Sequence, residues 1–267
     1  MKAIKLFGLM FALSIGTGAA AVEDSVMKEL VPTGKLRVAI AVSPAPSALY
    51  VIKGASGGYR GVAIDLGSAL AQKLGVSVEF VPYLASGAIT ADAKSDVWDV
   101  TFMPVDEERK KAVAFGNAYH LLQSTYLVAP GSAIKTLADA NAAGVRIAGA
   151  AGTATFRASN KASPKATHVE VAGVDAAVLL MKAGKIDCIA LSRESLTGLL
   201  PEIPGAYIID GGFLNSTTAI AVPNGKPEAL AYVSQFIEEA KSGGLVRKAL
   251  DDIGLKTSQV AAAGLKP

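Results

Sequence analysis

From Lys35 onward the chain alternates between two hydrophobic periods, and that alternation restricts its fold more than any single residue does. The run Lys35–Val42 (KLRVAIAV) reads as a buried strand, which Pro44 and Pro46 break into a loop. Past the turn glycines Gly54, Gly57 and Gly58, the stretch GVAIDLGSALAQKLGV places apolar residues at Leu66, Ala69, Leu70 and Leu74. That spacing predicts a helix, and Gly75 predicts its end. Residues 76–81 (VSVEFV) alternate and are β-branched, so they predict a second strand. Residues 86–93 read as a short helix or loop, and residues 97–103 (VWDVTFM) as a third strand ended by Pro104. Strand, helix, strand, helix, strand predicts an α/β fold whose parallel sheet is covered on both faces.

At Leu121 the pattern changes. LQSTYLVAPG is extended, and a new α/β set begins with a helical TLADANAA and a strand VRIAGA. GTATFRAS follows that strand, residues 168–171 form another, and residues 174–183 form a helix closed by Gly184. The strand IDCIAL ends at Ser192, Arg193 and Glu194; a helix to Leu200 and a strand over 206–209 follow. Residues 216–223 (STTAIAVP) are extended again, and helices over 227–240 and 245–253 close the chain. Two crossings predict two lobes joined by two hinge strands, with residues 22–125 and 217–267 in one lobe and 126–216 in the other. No internal repeat is visible, and the residues from Ser258 are expected to fray.

The first residues carry Lys2 and Lys5, an apolar stretch over 6–15 and small residues ending at Ala21. This is the pattern of a secretory signal peptide, expected to be cleaved after Ala21. The stretch is shorter than the roughly 20 apolar residues a membrane span needs. Its removal would take two lysines and no acid, leaving 24 of the 26 basic residues against 23 acidic ones. A nearly neutral exported chain argues against a nucleic-acid binder and against electrostatic capture at a membrane surface. It points to small-molecule partners. Cys188 is the single cysteine, so no intrachain disulfide can form, and within IDCIAL it reads as a small buried hydrophobe. His120 and His168 lie far apart with no ligand-spaced cluster, so neither a metal nor a cofactor is expected.

One segment concentrates the candidate chemistry. In TFMPVDEERKKAVAF, Asp106, Glu107 and Glu108 supply the capping oxygen and acids of a helix start, and Arg109 falls in its first turn just past a strand. Ligands of open α/β sheets collect at such corners, where a guanidinium can grip a carboxylate by two parallel bonds. A solvated arginine among neighbouring charges is the plainer alternative. In the second lobe, the GTAT turn would present a helix N-terminus, a ready anion site.

The order of these signals over roughly residues 35–256 resembles the family 3 solute-binding proteins of ABC importers, the group that contains the polar amino acid receptors. DVTFMPVDEERKKAVAF is the segment most typical of that family. The resemblance implies the two-lobed periplasmic binding protein fold of type II, a periplasmic monomer and an inner-membrane ABC permease as partner. It implies that Arg109 binds a ligand carboxylate, joined by backbone amides and a hydroxyl from Gly152, Thr153 and Ala154. Where the family carries an aspartate for the ligand ammonium, the simplest alignment gives Ser192. Where it carries a serine or threonine five positions before the arginine, Pro104 stands, and Phe102 and Met103 make that wall apolar. The aromatic of the first loop is missing from PAPSALY unless Tyr50 replaces it; Tyr83 and Tyr119 are further candidates for pocket walls. These departures imply a carboxylate ligand with no free α-ammonium, or a loop shift that brings Glu194 or Asp210 to the ammonium position. Cyclohexadienyl and arogenate dehydratases resemble the same fold and are the enzymatic alternative.

Overall fold

The computed structural model describes residues 22–43, 50–54, 57–256 and 258–267. The expected signal peptide over 1–21 and the loop break at Pro44 and Pro46 lie outside the described residues. A helix not foreseen, α1 (Asp24–Leu30), packs Val26 and Leu30 under the first lobe. Strand β1 (Lys35–Val42) forms as expected, and β2 (Tyr50–Lys53) and β3 (Tyr59–Arg60) make a hairpin across the glycine turn. Helix α2 (Val62–Leu74) buries Leu66, Leu70 and Leu74, and Gly75 ends it at φ 71° in the left-handed region.

Strand β4 (Ser77–Tyr83), helix α3 (Ser86–Ala91) and strand β5 (Val100–Pro104) follow. Pro104 ends β5 as expected and is its last paired residue, opposite Thr218. A single helical turn, α4 (Glu107–Lys110), then leads into β6 (Val113–Val128). The second half consists of α5 (Leu137–Ala140), β7 (Arg146–Ala150), α6 (Ala154–Ala162), β8 (Thr167–Val171), α7 (Val174–Lys182), β9 (Cys188–Ser192), α8 (Arg193–Leu199) and β10 (Tyr207–Ile208). Strand β11 (Leu214–Pro223) returns to the first half, where α9 (Pro227–Ser242) and α10 (Leu245–Asp252) cover the sheet.

All eleven strands of the described residues join one sheet, ordered β3-β2-β1-β5-β11-β6-β9-β7-β8, with β4 on β1 and β10 on β6. The order explains the two lobes. β1 pairs in parallel with β4 and β5, and β7 pairs in parallel with β8 and β9. Only the long antiparallel pair β6–β11 passes between the two groups, from Val113 opposite Pro223 to Ser124 opposite Leu214. Register shifts at Thr218–Ala219 and Ala219–Ala221 break that ladder part-way, and such irregularities bend strands.

One apolar core lies between β1, β5 and the helices α2, α9 and α10. A second contains Ile89, Trp98 and Met103 from the first half together with Ile189, Leu191 and Leu196 from the second. Trp98 is buried there and donates its indole N–H to the Ile89 carbonyl at 3.2 Å. Cys188 is fully buried, and burial pushes its thiol up to about 12. The expectation of a frayed end is overturned. Residues 259–265 bond back to Ala118, Tyr119 and Leu121 of β6, and Val260 bridges His120.

Candidate functional site

Arg109 is the most deeply buried cation among the described residues, 1% exposed. Its placement begins with Asp106, which caps α4 by accepting the Arg109 backbone N–H at 2.9 Å and so fixes where the side chain starts. The guanidinium donates to the Pro104 carbonyl at 2.7 Å and to Ser86 Oγ at 2.7 Å. Its Nε–H is buried with no hydrogen-bond partner among the described residues. Burial pulls the group down to about 10, with Asp106 opposing the shift, so it stays charged at neutral pH. A buried cation with an unused donor is costly unless something pairs with it.

Pro104 and Ser86 are walls of a cavity between the two halves, of about 10 Å³, the room one water needs. Tyr50 completes the first-half wall, and Ala150, Thr153, Thr155, Ala190, Leu191 and Ser192 form the wall from the second half. Thr153 caps α6, accepting the Phe156 N–H at 3.2 Å while donating to Ala150 O at 2.8 Å. The α6 amides of Ala154 and Thr155 have no acceptor within the helix. Ser192 caps α8 in the same way and lies 2.6 Å from Ser195 Oγ. Thr155 Oγ1 lies 3.2 Å from Ser124 Oγ. Burial raises the Tyr50 phenol to about 12 against the pull of Arg109.

The halves also touch at the rim of this cavity. Gly87 of α3 lies so close to Ala151 and Gly152 that a Cβ on Gly87 would collide with the Ala151 carbonyl. Gly152 sits at φ 62°, where a Cβ would come within 3.2 Å of Gly87 Cα. Arg157 of α6 pairs with Asp106 and donates to Gly152 O at 2.9 Å. A far larger groove, about 1480 Å³, opens beside the hinge strands and the C-terminal tail. Its Asp106 and Arg157 are already paired with each other, and Glu194 with His120 and Ser258, so the interior cavity is the better candidate.

Of the expected site residues, Pro104, Thr153 and Ser192 line the cavity together with Tyr50, and Arg109 stands behind two of its walls, bonded to Pro104 O and Ser86 Oγ. Gly152 and Ala154 flank it, Gly152 against Gly87 and Ala154 on the outer groove. Four others go elsewhere. Phe102 shares the Pro104 face of β5 but lies one pleat deeper, where Tyr119 packs on it edge to face at 5.9 Å. That contact also removes Tyr119 from the cavity wall. Met103 points to the opposite face and joins the second core, and Tyr83 turns aside to donate to Asp92 at 3.1 Å. Thr153 differs in role, since its hydroxyl hydrogen already bonds Ala150 O. Arg193 braces Gln123 and the carbonyls of Ile209 and Gly211. Ser86 and Thr155 were not foreseen; a serine opening a short helix carried no sign of a partner 23 residues away.

Residues 36–253 match the bacterial extracellular solute-binding proteins, family 3. The chain belongs to that family. It is 25% identical over 164 residues to a glutamine-binding protein of a Bacillus subtilis ABC transporter, covering 61% of this chain and 57% of that one. It is 27% identical over 169 residues to a glutamine-binding protein of Geobacillus stearothermophilus, covering 59% and 62%. The chain thus spans about three fifths of the length of these relatives. Among solved structures, an ancestral arginine-binding protein bound to glutamine superposes with a TM-score of 0.75 at 28% identity, over 83% of this chain and 98% of that one. An ancestral amino acid-binding protein described as a precursor of cyclohexadienyl dehydratase gives 0.74 at 28%, over 85% and 98%. These structures share the two-lobed α/β fold. No described helix of this member is long and apolar enough to cross a membrane.

Proposed function

We propose that this chain is the exported substrate-binding component of an ABC importer, capturing a small carboxylate-bearing solute, an amino acid or related organic acid. The lobes are residues 22–125 with 217–267, and residues 126–216; they close on the solute by bending β6 and β11. A monomer then presents the closed form to a permease in the membrane. The observation that carries this reading is Arg109, buried, charged and with a free Nε–H, held against the wall that faces the start of α6.

The mechanism follows from where the walls come from. A cavity of about 10 Å³ admits no solute unless the halves part, so entry requires an open state. In that state Arg109 belongs to one lobe and the α6 amides to the other. A carboxylate bound on Arg109 gains the helix-end amides only when the lobes meet, and this difference in affinity shifts the equilibrium toward closure. No carboxylate or histidine among the described residues lines the cavity.

Arg109→Met tests the reading. It keeps most of the bulk and removes the charge, so ligand affinity should fall by several kcal/mol, the scale of a desolvated charge-assisted pair (~3 kcal/mol or more). The ligand-free fold should lose no stability, because burial already disfavours the cation there. Titration calorimetry that found unchanged affinity in the variant would defeat the assignment.

A further inference from the structure

We infer that the ligand is a carboxylic acid with no free amine: a hydroxy acid, an oxo acid or an N-acylated amino acid. This rests on the carboxylate-capture reading and sharpens it. The charges beside the cavity are Arg109, Arg157 and Asp106, two cations and one anion, and Asp106 is already paired with Arg157. The cluster therefore carries one uncompensated positive charge. A monoanion neutralises it, whereas an amino acid zwitterion brings its own cation into the same buried space.

Among the described residues, no acid lines the cavity to receive that second cation. Glu194 bonds His120 and Ser258, Asp92 accepts the Tyr83 hydroxyl, Asp99 is clamped by Arg37 and Asp187 by Arg146. Asp210 is exposed. Stretches 44–49 and 55–56 and position 257 contain neither Asp nor Glu. Glu194 and Asp210 both stand outside the cavity wall.

The hydroxyls carry no negative charge to balance a second cation, and an ammonium brings three donors with no acceptor. Thr153 Oγ1 already accepts from Phe156 N–H, Ser192 Oγ from Ser195 N–H and Ser86 Oγ from Arg109. Ser86 retains its own hydrogen to give, and the α6 start adds amide donors. The wall is rich in donors, and it suits a ligand whose polar atoms are oxygens.

Calorimetry on the secreted protein with matched pairs tests this: L-alanine against L-lactate, L-leucine against 2-hydroxyisocaproate, and L-glutamine against N-acetyl-L-glutamine. The amine-free member of at least one pair should bind at least tenfold tighter, and Arg109→Met should abolish that binding. Ser192→Asp, which keeps a good helix cap while adding an anion, should move selectivity at least tenfold toward the amine member of the pair. Equal or tighter binding of the amine member, lost in Arg109→Met, would overturn the inference and leave carboxylate capture standing. Absence of binding across all six acids, or binding indifferent to Arg109→Met, would overturn both.

Discussion

Arg37 and Arg146 do the same work in the two lobes under different solvent conditions. Each sits near the start of the first strand of its lobe and grips an aspartate just ahead of the parallel strand beside it. Arg37 sends its backbone N–H (2.9 Å) and Nε (3.0 Å) to Asp99 Oδ2 and its NH2 (2.7 Å) to Oδ1, and also donates to the Asp96 carbonyl. Arg146 repeats the set on Asp187 at 2.8, 3.0 and 2.8 Å, with Gly184 O as the carbonyl. In the first lobe the Asp99 side chain is 0% exposed and that of Arg37 13%; in the second, Asp187 is 29% exposed and Arg146 39%. One parallel-strand solution is thus used twice, once in the interior and once near the rim. At the opposite ends of these strands the lobes differ in sign, with a buried guanidinium on one side and two capped helix starts on the other. The repeat builds the frame, and the difference makes the cleft.

Burial should set what each clamp is worth. Asp99→Ala leaves a mostly buried guanidinium without its anion and is expected to cost about 3–5 kcal/mol. Asp187→Ala exposes its partner to solvent that can already reach it, and should cost about 1 kcal/mol. Urea unfolding of the two variants measures both, and equal losses would break the comparison.

Gly87→Ala separates the contact between lobes from the stability of either one. Alanine suits a helix better than glycine, by about 1 kcal/mol, so the fold should hold or gain. The added Cβ would meet the Ala151 carbonyl only when the halves touch. Ligand affinity should therefore fall at least tenfold, about 1.4 kcal/mol, while the unfolding midpoint stays level or rises. A variant that binds normally would show that the contact at Gly152 is not needed for capture.

What the sequence made legible followed from local chemistry. The helix stop at Gly75, the caps at Asp106 and Thr153 and the two crossing strands depend on residues a few positions apart. Arg109 could be singled out because its capping acid and its strand are neighbours in the chain. The partners that complete the site are not. Ser86 lies 23 residues before Arg109, and Ser124 lies 31 before Thr155. The tail expected to fray is held by Glu194, 64 residues away from Ser258. The clamp also escaped notice as a repeat, because it needs only one arginine and one aspartate per lobe inside otherwise different strands. Phe102 was misplaced for a related reason: alternation gives a side chain's face, and the depth along that face is decided by Tyr119 from another strand.

The smallest expected effect concerns acid. Hydrogen bonds from Arg146 hold the Asp187 carboxyl below its ordinary value of 3.8, opposed by partial burial. A carboxylate whose folded value is depressed stabilises fully above its unfolded value and loses that contribution as pH falls through the depressed one. Asp187→Asn removes the titration and keeps the shape. The stability gap between parent and variant should be constant from about pH 7 down to about pH 5, then narrow steadily below about pH 4. A gap that stayed fixed, or widened, as acid was added would mean that the rim clamp holds by packing and neutral hydrogen bonds, with its charge contributing nothing. The two clamps would then differ in the kind of interaction and not only in its depth.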